Sequence, residues 1–346
     1  MPDAVIGWDL GGAHLKAARL GARGAVERVV QLPCPLWQGI SHLESGLEAA
    51  RRELGASPVH AVTMTGEMVD AFPDRRTGVL EILRVVQRAL GGVRVAFYGG
   101  VAGFLDAAGA GAAPHRLASA NWRASAALVA HHVETALFVD IGSTTTDLIP
   151  AVGGQVAARG TDDAGRLVVG ELFYTGVVRT PLMAVESRVP FAGEWTPLMA
   201  EYFATIADVY RLTGQLPEGA DLHPAADGGA KTIEASARRL ARMIGRDASD
   251  APAAAWHQLA EWFARSHRKQ IAAACDRLLS RPDLPPGAPI IGGGVGRFLL
   301  PDIAASRGRA YREFAALLPA GEAAAGSISD CAPAVAVAAL LQHAMA

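Results

Sequence analysis

A repeat narrows the fold more than any other feature of the chain. The segment Leu137-Phe138-Val139-Asp140-Ile141-Gly142-Ser143-Thr144-Thr145-Thr146-Asp147 can be laid without a gap over Ile6-Gly7-Trp8-Asp9-Leu10-Gly11-Gly12-Ala13-His14-Leu15-Lys16. Asp140 then falls on Asp9, Gly142 on Gly11 and Asp147 on Lys16, and Val152 to Gln155 falls on the turn at Gly21 to Gly24. In both copies an apolar run reaches an aspartate, passes a glycine turn and resumes, which reads as strand, turn, strand, turn, strand. A solenoid needs many short repeats, so two long copies specify two related lobes instead. A chain of 346 residues has room for both.

Strands and helices alternate around the repeat, which means an α/β fold. Ser41 with Glu44 reads as a capping box ahead of a helix through Leu43, Leu47, Ala50 and Leu54, stopped by Gly55. Val59 to Met64 and Val93 to Tyr98 read as strands around a helix over Thr77 to Leu90, and Gly99-Gly100 opens a further helix. Asp208 to Lys231 is rich in turn formers and is expected as a loop over the site. Helices follow over Thr232 to Ile244 and Pro252 to Leu279, then a short strand at Pro289-Ile290-Ile291. The expected division is an N-terminal lobe over 1–133, a C-terminal lobe over 134–330, and a terminal helix over 331–346 that returns to the first lobe.

Three glycine turns follow strands, at Gly11-Gly12, Gly142-Ser143 and Gly292 to Gly296. Glycine lets backbone N–H groups approach phosphate oxygens in a concave nest. No GxxxxGK[ST] is present, so this is not a P-loop chain, and the last turn lacks the βαβ setting of a Rossmann site. The set resembles the actin, hexokinase and heat-shock-chaperone ATPase superfamily. Its first phosphate motif is similar to Ile6 to Lys16, its second to Val139 to Asp147, and its adenosine-type motif to Ile290 to Gly296. The resemblance implies an α/β, two-lobed actin/hexokinase-like (ribonuclease H-like) fold with a central cleft. It also implies phosphate contacts from Gly11, Gly12, His14, Lys16, Gly142, Ser143, Thr144, Thr145, Gly293 and Gly294.

A narrower resemblance covers nearly the whole chain. It is carried by Gly7 to Lys16, by Ser119-Ala120-Asn121-Trp122, and by Gly170 to Pro181. Ala226-Asp227-Gly228 with Lys231-Thr232 and Arg239 to Asp247 add to it. These segments resemble the hydantoinase/oxoprolinase-like proteins linked to the tetrahydromethanopterin one-carbon pathway. Archaeal members are similar to the furan-methanamine synthase of methanofuran biosynthesis, and bacteria with the pathway make the related methylofuran. The resemblance implies a transferase that joins an aminomethyl-furanmethanol diphosphate to a tyramine- or tyrosine-type phenol and releases diphosphate. It implies substrate contacts from Asn121, Trp122, Tyr174, Arg179, Asp227 and Lys231. A diphosphate leaving group calls for backbone nests, basic side chains and a cation such as Mg²⁺, with Asp9 and Asp140 as its carboxylates. The phenol needs a base or a nearby cation. Asp9, Glu67 and Asp140 are candidates, and the sequence does not choose among them.

Composition limits the partners. Lys plus Arg number 32 against 34 Asp plus Glu, a net charge of −2, so no basic field for nucleic acid is present. Only three of the basic residues are lysines, Lys16, Lys231 and Lys269, a skew expected of a GC-rich genome. Cys34, Cys275 and Cys331 lie far apart with no CxxC spacing, which suits buried thiols in a reducing cytoplasm. No signal peptide or membrane span is apparent, and a homodimer stays open. Two other function classes remain. One is an ATP-dependent small-molecule kinase or oxoprolinase/hydantoinase-type ATPase. The other is a non-catalytic actin-like or activator protein that binds ATP.

Overall fold

The computed structural model describes residues 4–319, 321, 323 and 325–346. Its first sheet starts with an antiparallel meander of β1 (Val5–Leu10), β2 (His14–Leu20) and β3 (Val26–Pro33). After α1 (Ser41–Leu54), β4 (Val59–Met64) joins parallel to β1. After α2 (Arg75–Ala89), β5 (Arg94–Tyr98) joins parallel to β4, and the short β6 (Phe104–Leu105) closes that edge. Then come α3 (Ala107–Ala112) and α4 (Asn121–His132).

The second sheet repeats the plan. β7 (Ala136–Ile141) and β8 (Thr146–Val152) form the meander with β9 (Gln155–Val156), and β10 (Leu172–Phe173) also pairs with β8 after α5 (Asp163–Val169). The hairpin of β11 (Arg188–Phe191) and β12 (Glu194–Pro197) follows. Then come α6 (Ile206–Leu212), α7 (Ile233–Arg242) and the long α8 (Ala253–Leu279). β13 (Ile290–Gly293) and, after α9 (Leu300–Ala305), β14 (Tyr311–Glu313) add parallel to β7. The chain ends with α10 (Ala325–Asp330) and α11 (Ala332–Met345). The strand order β3-β2-β1-β4-β5 recurs as β10-β8-β7-β13-β14. The repeat is therefore a repeat of topology, and the fold is the α/β two-lobed plan the motifs imply.

Register carries the repeat down to single residues. Asp9 pairs with Lys16 across β1 and β2, and Asp140 pairs with Asp147 across β7 and β8. Both turns close with the same bond, Gly11 N–H to His14 C=O at 3.0 Å and Gly142 N–H to Thr145 C=O at 2.8 Å.

The two sheets share a layer of helices. One face of the first sheet, with Ile6, Trp8 and Leu10, packs on α1 and α2. One face of the second, with Leu137, Val139 and Ile141, packs on α6 to α9. The other faces close on α4 and α11, which join Val5, Ala18, Phe138 and Ile149 in one core. The alanine-rich α11 is apolar all round because it is buried all round. Small side chains let it approach β1 so closely that a Cβ on Gly7 would overlap the carbonyl oxygen of Ala334. No helix among the described residues is long and apolar enough to cross a membrane.

Three local expectations are corrected. Gly99-Gly100 opens a single 3-10 turn before β6 rather than a helix, since Gly103 N–H closes back on Gly100. α1 starts after Ile40, with no side-chain cap from Ser41. The expected loop from Asp208 begins inside α6, where Asp208 is buried against Arg239 at 2.7 Å.

Candidate active site

Alternation along the strands decides which side chains meet between the lobes. Val5 faces the shared helix layer, so Gly7 and Asp9 do too. Phe138 faces it, so Asp140 does. Ala18 places Lys16 there, and Ile149 places Asp147 there. The four charged side chains stand at the strand ends where the helix layer stops, and they line a cleft of about 440 Å³.

The charges in this cleft are coupled. Burial pushes the Asp9 carboxyl up to about 6, with Lys16 and Asn121 pulling the other way. Burial pushes Asp140 up to about 7, again opposed by Lys16 and reinforced by Asp147 and Asp9. Burial works against the Lys16 ammonium, but Cys331, Asp140, Asp9 and Asp330 outweigh it and hold its pKa above the usual lysine value. Its Nζ donates to the Asp330 carbonyl at 2.7 Å. Asp147 is raised by burial and lowered by Arg166, its ion-pair partner. Two buried carboxylates, Asp9 and Asp140, beside one lysine are suited to anionic ligand oxygens carrying a cation.

Two turns face each other across this cluster. The amides of Gly12, Ala13, Ser143, Thr144 and Thr145 donate to no other group among the described residues. Such unspent amides at strand-end turns form anion nests. Arg179 is half-buried in the cleft wall, its guanidinium 5.1 Å from the Trp37 ring and without an ion pair or hydrogen bond to any described residue. His14 also lines the cleft. Burial, with Lys16, His223 and Arg179 nearby, lowers its pKa to about 3, so it is neutral at physiological pH. His223 packs on it with ring centroids 4.7 Å apart and on Trp37 at 5.4 Å. The loop after α6 thus packs behind this wall of the cleft through His223.

The opposite wall is built around Trp122. Arg166, almost fully buried, lies over its ring at 4.1 Å and pairs with Asp147 and, at 3.6 Å, Asp163. Asn121 accepts from the Trp122 amide at 2.7 Å and points its Nδ2 at Asp9 from 3.5 Å. Tyr174 stands exposed at the mouth. Ser119 lines the same wall, with its hydroxyl 2.9 Å from Glu67 and 3.0 Å from Asp163. Arg75 reaches over from α2 to Asp163 at 2.7 Å.

The structure gathers Asp9, Gly11, Gly12, His14, Lys16, Asn121, Trp122, Asp140, Gly142, Ser143, Thr144, Thr145, Tyr174 and Arg179 around the cleft. It does not bring five other expected residues to its lining. Gly293 and Gly294 are buried, and the Gly294 amide is spent on the Ser329 carbonyl at 2.8 Å. Their role is to make room: Gly294 sits at φ +77°, and a Cβ there would overlap the Asp140 carboxylate. Glu67 is buried behind Ser119. Asp227 is held by Arg239 at 3.0 Å, and Lys231 by Asp221 at 3.3 Å, beside a separate hollow near α6. The sequence reading missed Trp37, Ser119, Asp163, Arg166 and His223 as parts of the site. Ser119 alone carried a signal, since it opens the motif that continues into Asn121-Trp122.

The hydantoinase/oxoprolinase family model matches residues 59–342. A curated protein of Methanocaldococcus jannaschii, named (4-{4-[2-(gamma-L-glutamylamino)ethyl]phenoxymethyl}furan-2-yl)methanamine synthase, is 30% identical over 71% of this chain and 73% of its own length. A protein of the same name from Methanococcus vannielii is 40% identical over 24% of this chain and 36% of its own. Among solved structures, nucleotide-free acetone carboxylase superposes with a TM-score of 0.50 at 9% identity, over 86% of this chain and 66% of that one. That likeness speaks for the fold alone. The chain belongs to the hydantoinase/oxoprolinase family.

Proposed function

We propose that the protein is a transferase that couples a furanylmethyl diphosphate to a tyramine- or tyrosine-type phenol and releases diphosphate, in methanofuran or methylofuran biosynthesis. The observation that carries this reading is the 30% identity, over most of both chains, to a protein named for a phenoxymethyl-furan product. The cleft is chemically suited to it. The amides of Gly12, Ala13 and Ser143 to Thr145 can donate to the diphosphate oxygens, with Lys16 as a point charge and Arg179 as a free fork. Asp9 and Asp140 fit a hard cation such as Mg²⁺. Among the described residues no third His, Cys, Asp or Glu completes a cage with them, so substrate oxygens and water would fill the shell. Mg²⁺ so held would neutralise charge on the departing diphosphate. Trp122 and Tyr174 offer ring faces for aromatic substrates.

The third glycine turn supports diphosphate rather than a nucleoside triphosphate as the bound anion. Arg297 fills the space beside it, pairing with Asp330 and, at 2.7 Å, Glu313, and donating to the Gly294 carbonyl at 2.9 Å. The Gly296 amide is spent on Ile141. Incubating the protein with Mg²⁺, the furan diphosphate and a tyramine-type phenol should yield the ether and diphosphate without ATP. Absence of product with any phenol, together with ATP turnover stimulated by a small acid or alcohol, would sink this reading in favour of the kinase or ATPase class.

A further inference from the structure

We infer that Asp163 accepts the proton of the phenol's hydroxyl as the ether forms, with Ser119 and Glu67 as positioning residues behind it. The inference rests on the coupling reading given above. It starts from a count of protons. The Ser119 hydroxyl lies within hydrogen-bond reach of two carboxyl groups, Glu67 at 2.9 Å and Asp163 at 3.0 Å, but it has only one hydrogen to donate. One of the two contacts therefore needs a proton on a carboxyl. Asp163 also faces Arg75 at 2.7 Å and Arg166 at 3.6 Å, so it is the anion. Glu67 is buried to 1% exposure, and its Oε2 has no partner, so it is the neutral acid. The chain then runs one way: Glu67 donates to Ser119, and Ser119 donates to Asp163.

This arrangement leaves one oxygen of Asp163 for a substrate. Arg75 and Ser119 both bind Oδ2, while Oδ1 has only the long contact to Arg166. Ser119 and Asp163 both line the cleft, on the Trp122 wall. Ser119 holds φ at +49°, a region that side chains other than glycine seldom adopt, and the hydroxyl it places there bridges an N-terminal-lobe acid to a C-terminal-lobe carboxylate.

The carbon–oxygen bond to diphosphate breaks, and its electron pair leaves on diphosphate. The phenol oxygen supplies the pair for the new carbon–oxygen bond, and its proton goes to Asp163 Oδ1. An arginine-paired carboxylate suffices because the phenol oxygen becomes strongly acidic as it bonds to the electron-poor methylene. The proton is taken late and needs no strong base.

The test compares two acceptors, a tyramine-type phenol and its nitro derivative, which is largely ionised at mildly alkaline pH. With the ordinary phenol, Asp163→Asn should lower kcat about a hundredfold while KM moves severalfold at most. With the nitrophenol, which arrives without its proton, the loss should shrink to a few-fold. Glu67→Gln, which keeps a donor toward Ser119, should retain more activity than Glu67→Leu. Equal losses on both phenols would make Asp163 merely structural and overturn the assignment, as would an Asp163→Asn variant with full activity on the ordinary phenol. If the wild-type protein couples neither phenol, the coupling reading fails and this inference falls with it.

Discussion

Lys16 is the residue on which the electrostatics of the cleft turn. It faces Asp9 and Asp140 and is the main counterweight to burial at both. Lys16→Met should weaken diphosphate binding and lower kcat/KM by about a hundredfold or more, as calorimetry and steady-state rates would show. Unchanged diphosphate affinity would remove Lys16 from the site. A second residue sets a pH dependence of stability away from the cleft. His267 is buried between the Tyr210 hydroxyl at 2.8 Å and the Thr175 hydroxyl at 2.9 Å, and burial lowers its pKa to about 4 from an ordinary 6.5. Because the folded value is the lower one, the neutral ring's contribution is present above pH 6.5 and is lost as pH falls from 6.5 through 4. At full extent this amounts to about 3 kcal/mol. Urea midpoints should therefore fall across that window, and less steeply in His267→Asn. Equal slopes for both proteins would refute the assignment.

At the scale of elements, two glycines mark where strands meet what lies beside them. Gly7 is the point where α11 rests on β1, and a Cβ there would overlap the Ala334 backbone. Backbone cannot swing away as a side chain can, so Gly7→Ala should cost about 3 kcal/mol or more, read as a lost denaturant midpoint. A wild-type midpoint would mean that the helix does not sit where described. Gly294, the residue just past β13, is the corresponding point in the second lobe. Gly294→Ala combines strain at positive φ with a clash against the Asp140 carboxylate. It should impair turnover in the coupling assay more than it lowers the melting temperature. The two meanders and the repeat that relates them are the parts of the fold most legible in the sequence. A meander needs only neighbouring segments, and its Asp and Gly positions recur at fixed offsets. The Gly292 to Gly296 turn was legible as a turn but not in its purpose. A glycine records that something comes close, and here it is the Asp140 carboxylate.

At the scale of the whole molecule, the cleft exists because two sheets share one pair of helices, and contacts cross it on both sides. Arg75 and Ser119 of the first lobe meet Asp163 of the second, while Trp37 and His14 of the first meet Arg179 and His223 of the second. Ligands that fill the cleft should stabilise this closed arrangement. Inorganic diphosphate with Mg²⁺ at a hundredfold excess over its Kd should add about 2.7 kcal/mol, seen as a raised melting temperature. A non-hydrolysable ATP analogue should add little, because Arg297 occupies the space beside the third turn. Equal stabilisation by the nucleotide would reverse that conclusion.

The sequence by itself determined the two lobes, the paired aspartates and the two glycine turns that follow them. Each of these is written locally, in strand alternation and in glycines at the ends of strands. Only the tertiary structure decided that Gly293, Gly294, Glu67, Asp227 and Lys231 stand back from the cleft, and that Trp37, Ser119, Asp163 and Arg166 form its walls with His223 packed behind them. Those placements depend on how β13 packs against Asp140 and on where one lobe meets the other. Such contacts join residues far apart in the chain, and no local pattern of residue types encodes them.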